Sequence, residues 1–156
     1  MRIPKVYLET TLFNFYVDAD RDAHADTVRL FKEIATGKYD AYTSIYVTDE
    51  LEAASEPKRS KMMKLLTDYK ITVLAPNEEA AGLAQKYIAS GIIPQKYRSD
   101  ALHIAIASVN NLDMIISMNF QHIVKRKTKI ATGSVNALNG YGNIEILTPM
   151  EVIENE

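Results

Sequence analysis

Carboxylate, amide and hydroxyl side chains recur in this chain where a strand-like segment gives way to a helix or a turn. Glu9 follows the segment Lys5 to Leu8 (KVYL), and Ser44 ends a second one, Asp40 to Ser44 (DAYTS). Glu50 lies on the helical stretch after Ser44, and Asp100 opens a nearly all-apolar helical stretch. Ser117 ends the apolar strand that comes next, and Asn119 stands two residues on. Carboxylates held close together repel, and one is pushed to protonate unless a cation lies among them. A divalent metal resolves that conflict. Oxygen donors, in a chain with no cysteine and three histidines, suit Mg2+ or Mn2+ rather than zinc. A hard cation on an open carboxylate cluster is suited to phosphodiester hydrolysis, because it lowers the pKa of its water and neutralises phosphate oxygens.

These residues converge only if the elements between them make a parallel sheet. Segments Lys5 to Leu8, Asp40 to Ser44, Ile71 to Ala75, Asp113 to Ser117 and Ile144 to Leu147 are short and read as strands. Helical spacing of apolar residues covers Asp22 to Thr36, Ile45 to Ala54 and Lys58 to Tyr69, with a further helical turn around Leu12, Phe13 and Phe15. Another helix starts at Asn77, a candidate N-cap, and stops at Gly91. Ser99 is the expected cap of the next helix, whose apolar residues lie nearly all round it, as in a buried central helix. After Phe120 a turn or short helix to about Lys127 and a helix over Thr132 to Leu138 are expected, and Thr148-Pro149 caps a C-terminal turn. Strands alternating with helices give an α/β fold with a mostly parallel five-stranded sheet covered on both faces. The strands then share their C-terminal edge, where open α/β sheets bind ligands. Asp113, at the start of its strand, lies roughly 13 Å from that edge and reads as a turn residue.

Composition narrows the classes. The 156 residues, 47% hydrophobic and 24% charged, are an ordinary globule, read as one domain over 1–156. The absence of cysteine excludes disulfides and thiolate chemistry and fits a reducing compartment. No apolar run approaches the roughly 20 residues of a membrane span, and no signal-peptide pattern opens the chain, so a cytoplasmic location is expected. A net charge of −2 lacks the basic surplus of many nucleic-acid binders, so such contact would fall to local patches. Two are visible: Lys58, Arg59, Lys61 and Lys64, and Lys125, Arg126, Lys127 and Lys129. The plain reading of either is a solvated helix face.

Taken in order, the motifs resemble a PIN domain, the nuclease fold of VapC-type toxins. VYLETT resembles the first strand with its acidic residue, and TSIYVTDELEAA a Ser-then-Glu segment with Glu50 six positions after Ser44. SDALHIAIA resembles the third acidic motif, and DMIISMNFQHI a strand followed by Ser-x-Asn and an aromatic residue. GYGNIEILTPMEVI is similar to the tail of one bacterial subgroup. The resemblance implies a three-layer α/β/α fold and an acidic pocket for one or two Mg2+ or Mn2+ ions. It also implies endoribonuclease activity leaving 5′-phosphate and 3′-hydroxyl ends, a homodimer, and silencing by a cognate antitoxin. Glu9, Glu50 and Asp100 then hold metal, and Asn119 completes the catalytic set, ligating or bonding a metal-bound water through its carbonyl. Two positions depart from the family pattern, which usually has Asp at the place of Glu9 and often Asp at that of Asn119.

Around this set, Asn14 is a candidate for lining the pocket. Ser44 and Ser117 are supporting hydroxyls, with no base evident to make Ser117 a nucleophile. His103 lies one turn after Asp100, and is either an orienting group or a satisfied core histidine. His122 is either a phosphate contact or a structural residue, Lys125 and Arg126 are candidates for an RNA backbone, and the nine tyrosines, read mostly as core or rim, could offer stacking surfaces. Two rival functions use the same residues: a non-catalytic RNA- or protein-binding module, and a metal-dependent DNA nuclease or phosphatase.

Overall fold

The computed structural model describes residues 2–154. Its centre is β1 (Lys5–Leu8), in which Val6, Tyr7 and Leu8 are fully buried. A strand covered on both faces has no polar side to alternate, so it reads as a short apolar run. On one side β1 pairs with β2 (Asp40–Ser44), and β2 with β3 (Thr72–Leu74); on the other it pairs with β4 (Met114–Ile116), and β4 with β5 (Glu145–Leu147). Every pairing is parallel, with Lys5 opposite Asp40, Val6 opposite Met114 and Met114 opposite Glu145. The strand order β3-β2-β1-β4-β5 reverses direction at β1. That reversal is the switch point beside which a crevice opens at the carboxyl ends of the strands.

The helices complete a three-layer α/β/α arrangement. In one group α1 (Thr10–Val17) packs on α2 (His24–Ala35) and α4 (Lys58–Asp68), and α2 packs on α8 (Pro149–Glu154). In the other α5 (Glu78–Ala89) packs on α6 (Arg98–Val109) and α7 (Arg126–Leu138). The short helix α3 (Ile45–Glu52) touches α1, α4 and α6. All residues from Ala101 to Ser108 are buried, which makes α6 the central helix its composition predicted. Its large apolar side chains, Ile104 and Ile106, are fully buried, each worth about 1.5–3 kcal/mol against exposure. Ala101, Ala105 and Ala107 keep the helix slim, and a larger side chain at Ala105 would overpack the core by about 1–3 kcal/mol.

Caps and boundaries differ from expectation in three places. Asn77 does cap α5, its Oδ1 accepting from Ala80 N at 2.7 Å. Ser99, however, is an exposed residue inside the first turn of α6, which starts at Arg98 without a side-chain cap. Helix α7 begins at Arg126, six positions before Thr132. Its first turns hold good helix formers, Arg126, Lys127, Lys129 and Ala131, and the residues they turn inward are threonines: Thr128 and Thr132 are buried with their hydroxyls bonded to the carbonyls of His122 and Thr128, at 2.8 and 2.6 Å. At the C-terminus the expected turn is a helix, and Thr148 and Glu151 exchange backbone and side-chain bonds at 3.0 and 3.3 Å as a capping box.

Candidate active site at the strand ends

Glu9 leaves β1 at the switch point, where its N–H donates to Ile116 O at 3.1 Å and continues the β1–β4 ladder. Its side chain is 3% exposed. Oε1 accepts from the hydroxyls of Ser117 and Thr11, each at 2.6 Å. Those hydroxyls in turn accept from Asn119 N at 2.9 Å and Met118 N at 2.8 Å, so their own protons are committed to Glu9. The carboxylate after β1 and the turn after β4 are thereby tied into one unit. Burial pushes the Glu9 pKa above its usual value, and the His103 charge and the two hydroxyls offset this only in part.

His103, on α6, is buried beneath the site with both ring nitrogens engaged. Nε2 lies 2.8 Å from Glu50 Oε1. Nδ1 lies 2.7 Å from the hydroxyl of Tyr7, which is 2.7 Å from Ser44 Oγ. One continuous chain therefore runs Ser44–Tyr7–His103–Glu50. Burial acts to lower the His103 pKa, but the Glu50 bond and the charges of Glu9, Glu50 and Asp100 outweigh it and leave it raised. Glu50 stands at the rim, its side chain 40% exposed. Partial burial pushes its pKa up, and the His103 bond and charge overcome that and hold it below its usual value.

Asp100 sits in the first turn of α6, where both oxygens are engaged: Oδ1 accepts from Asn119 Nδ2 at 3.1 Å, and Oδ2 is 3.0 Å from His122 Nδ1. A helix N-terminus alone would favour the ionised form. Burial outweighs that, and the Asp100 pKa is raised despite the opposing charges of His103 and His122 and the Asn119 bond. Of the three carboxylates Glu50 bonds the buried imidazole directly, and the charges of Glu9 and Asp100 also favour its protonated form.

No family model matches the chain, and no curated protein does. Solved structures do match. A chain of VapBC2 from Rickettsia felis, crystallised bound to a DNA fragment from their promoter, is 14% identical with a TM-score of 0.57, covering 92% of this chain and 98% of that one. The crystal structure of VapC20 from Mycobacterium tuberculosis, a sarcin-ricin loop cleaving toxin, is 13% identical with a TM-score of 0.51, covering 70% of this chain and 86% of that one. The fold is that of the VapC-type PIN domain.

In this PIN fold the carboxylates do not form a common ligand set as they stand. Among the described residues, no three His, Asp or Glu side chains are grouped so that they could hold one ion. The donors have the right chemistry for a hard cation, but Glu50 and Asp100 each spend an oxygen on a histidine. The hydroxyl of Thr10, next in the chain to Glu9, is buried with no hydrogen-bond partner, although it lies near enough to Glu50 to favour that carboxylate's charge. From beneath the site His103 favours the charged forms of Glu9, Glu50 and Asp100. Asn119 is engaged through both ends of its amide. Its Oδ1 accepts from Gln121 N at 3.2 Å and His122 N at 3.1 Å, so its carbonyl holds the turn and its NH2 faces Asp100. An aspartate there would set a second negative charge against Asp100 in place of a donor.

The remaining candidates divide. Ser44 and Ser117 bind Tyr7 and Glu9 as described. Asn14 donates to Thr10 O at 3.2 Å on its own helix, and no hydrogen bond joins it to Glu9, Glu50 or Asp100. Lys125 and Arg126 are exposed where α7 begins, just past His122. The cluster at 58–64 is offset by acids, with Lys58 2.7 Å from Asp18 and Arg59 2.9 Å from Glu56. Asp113 lies at the opposite sheet edge, held bidentately by Arg2 at 2.8 Å and by Lys5 N at 2.7 Å. Two residues that hold the site escaped sequence reasoning: Tyr7, hidden inside an apolar strand, and Thr11, one of two adjacent threonines with nothing in the sequence to single it out. Among the described residues, no helix is long and apolar enough to cross a membrane.

Proposed function

We propose that this chain is a VapC-type ribonuclease toxin. It would hydrolyse RNA phosphodiester bonds in the cytoplasm as a homodimer, with Mg2+ or Mn2+ as cofactor and a cognate antitoxin as its silencing partner. The observation that carries the reading is the hydrogen-bonded set at the sheet's switch point, in which Ser117 and Asn119 of one turn bond Glu9 and Asp100, and buried His103 bonds Glu50. The RNA substrate is supported by VapC20, a sarcin-ricin loop cleaving toxin, and the antitoxin by the VapBC2 complex.

Each side chain has a task in this scheme. Glu9, braced by Ser117 and Thr11, is the fixed inner carboxylate. Glu50 and Asp100 are the outer pair, and both must exchange a histidine contact to share a cation with Glu9. A divalent cation held there supplies charge neutralisation at the phosphate and acidifies water. Buried His103 keeps the three anions from expelling one another while the cation is away. Asn119 sets the Asp100 carboxylate, and Lys125 and Arg126 meet the RNA backbone.

The test is cleavage of RNA and of DNA by purified protein in Mg2+, Mn2+ or EDTA, beside Asp100→Asn. RNA cleavage that needs the metal and is lost in Asp100→Asn is expected. Cleavage that survives EDTA, or equal cleavage by the variant, overturns the mechanism. Preference for DNA overturns the substrate, and no cleavage of either reduces the protein to a binding module. Solution mass with and without a co-expressed neighbouring reading frame tests the homodimer and the antitoxin.

A further inference from the structure

Tyr97 ends the turn Gln95–Tyr97 that leads into α6, and the scheme above gives it no task. Its ring stacks on His122, with centroids 3.9 Å apart and planes inclined by 31°. His122 reaches Asp100 at 3.0 Å, so ring, imidazole and carboxylate form one unbroken line from the rim into the site. Lys96 Nζ lies over the Tyr97 ring, 5.6 Å from its centroid, on a flexible side chain that an incoming base would displace. Thr128, in the first turn of α7, bonds the carbonyl of His122 at 2.8 Å, so Lys125, Arg126 and Lys127 spring from the same turn as the stacked imidazole. Lys96, Arg98, Lys125, Arg126 and Lys127 are all exposed, and among the described residues none is paired with a carboxylate.

A half-buried aromatic ring with a rigid backing and unneutralised cations on two sides is the combination that holds single-stranded nucleic acid. The ring takes a base face and the cations take phosphates. Bases inside a duplex are stacked on one another and cannot reach such a ring.

We propose that Tyr97, backed by His122, is a stacking platform for an unpaired RNA base beside the carboxylate site, with Lys96, Arg98 and Lys125 to Lys127 gripping the flanking phosphates. This rests on the ribonuclease reading and sharpens it: the substrate is single-stranded where it meets the site. Tyr97 is a substrate-binding residue here, and His122 is its support as well as the partner of Asp100.

Binding and cleavage are measured separately. Fluorescence anisotropy in EDTA follows a labelled single-stranded RNA, the same strand with one abasic nucleotide scanned along it, and a blunt duplex, against wild type, Tyr97→Phe and Tyr97→Ala. Tyr97→Ala is expected to weaken single-strand binding by about tenfold or more, while Tyr97→Phe stays within about twofold. One abasic position should weaken wild type by a similar factor and leave Tyr97→Ala nothing further to lose, the signature of a direct pair. Equal binding by Tyr97→Ala, or an equal loss on every abasic strand, overturns the platform. Should Tyr97→Ala fail to fold, the abasic scan on wild type decides: a scan with no sensitive position overturns it. Absence of any RNA binding by wild type overturns platform and ribonuclease reading together. Tyr97-dependent binding without cleavage in Mn2+ supports the platform and removes the ribonuclease reading, whereas cleavage with no Tyr97 effect on binding removes the platform alone.

Discussion

His103 Nε2 and Glu50 Oε1 are 2.8 Å apart although 53 positions separate the two residues in the chain. The contact joins the central helix α6 to the short helix α3 at the carboxyl edge of the sheet. It places a fully buried imidazole with a raised pKa among three carboxylates, and several consequences can be measured.

His103→Gln removes the charge while retaining a polar side chain. Tyr7 and Glu50 lose well-formed partners, and the buried Tyr7 hydroxyl bears most of the cost. We expect a loss of about 1–3 kcal/mol, read from the urea midpoint. An unchanged midpoint would show that the ring is not a structural counter-charge.

The same residue makes stability depend on pH. With its folded pKa raised above the usual 6.5, His103 contributes stability that is fully present below 6.5 and is lost as pH rises through the folded value. Glu50, held below its usual 4.5, contributes stability that is present above 4.5 and fades as pH falls through its folded value. Glu9 and Asp100 are raised, so above their usual values of 4.5 and 3.8 they cost stability as pH climbs through their folded values. Denaturant midpoints measured from mildly acidic to mildly alkaline pH should fall for wild type above the usual histidine range. The His103→Gln profile should be flatter there, and parallel profiles would contradict the assignment.

Asn119→Asp replaces the donor facing Asp100 with a like charge. Without added metal the variant should melt below wild type, by about 1–3 kcal/mol. Added Mn2+ should raise its melting temperature more than that of wild type, because the new carboxylate is a ligand as well as a repulsion. A metal response no larger than that of wild type would separate Asn119 from the cation site.

Ser117→Ala strips one proton donor from Glu9 and the acceptor from Asn119 N. Two groups are left short, so a loss of about 2–4 kcal/mol is expected in chemical denaturation. Any RNA cleavage should fall with it through kcat, since the inner carboxylate loses its brace. A kcat equal to that of wild type in a destabilised Ser117→Ala would confine the hydroxyl to folding.

Asn77→Ala serves as a contrast far from the site. It deletes the cap of α5 and should cost about 1 kcal/mol, with cleavage unaltered at temperatures where the protein stays folded.

The parts of the fold legible in the sequence were those encoded locally. Segments β1 and β2 have the expected bounds, and the remaining strands differ by a residue at one or both ends. Helix α6 was recognisable because an all-apolar surface has nowhere to go but the core. The start of α7 was hidden, since its buried threonines look polar until the carbonyls that accept their hydroxyls are in place. Asp113 could be removed from the site by strand length alone, as its place beside Arg2 at the far edge agrees.

The sequence by itself determined which residues stand at the ends of parallel strands, because apolar runs and turn residues set each strand's length and direction. The tertiary structure decided how those residues are paired. His103 follows Asp100 by a single helical turn yet bonds Glu50, and Ser117 serves Glu9 across 108 positions. A hydrogen bond forms over only a few tenths of an ångström and a narrow range of angles. Its partner is therefore chosen by how whole helices pack on the sheet, which no local stretch of sequence encodes.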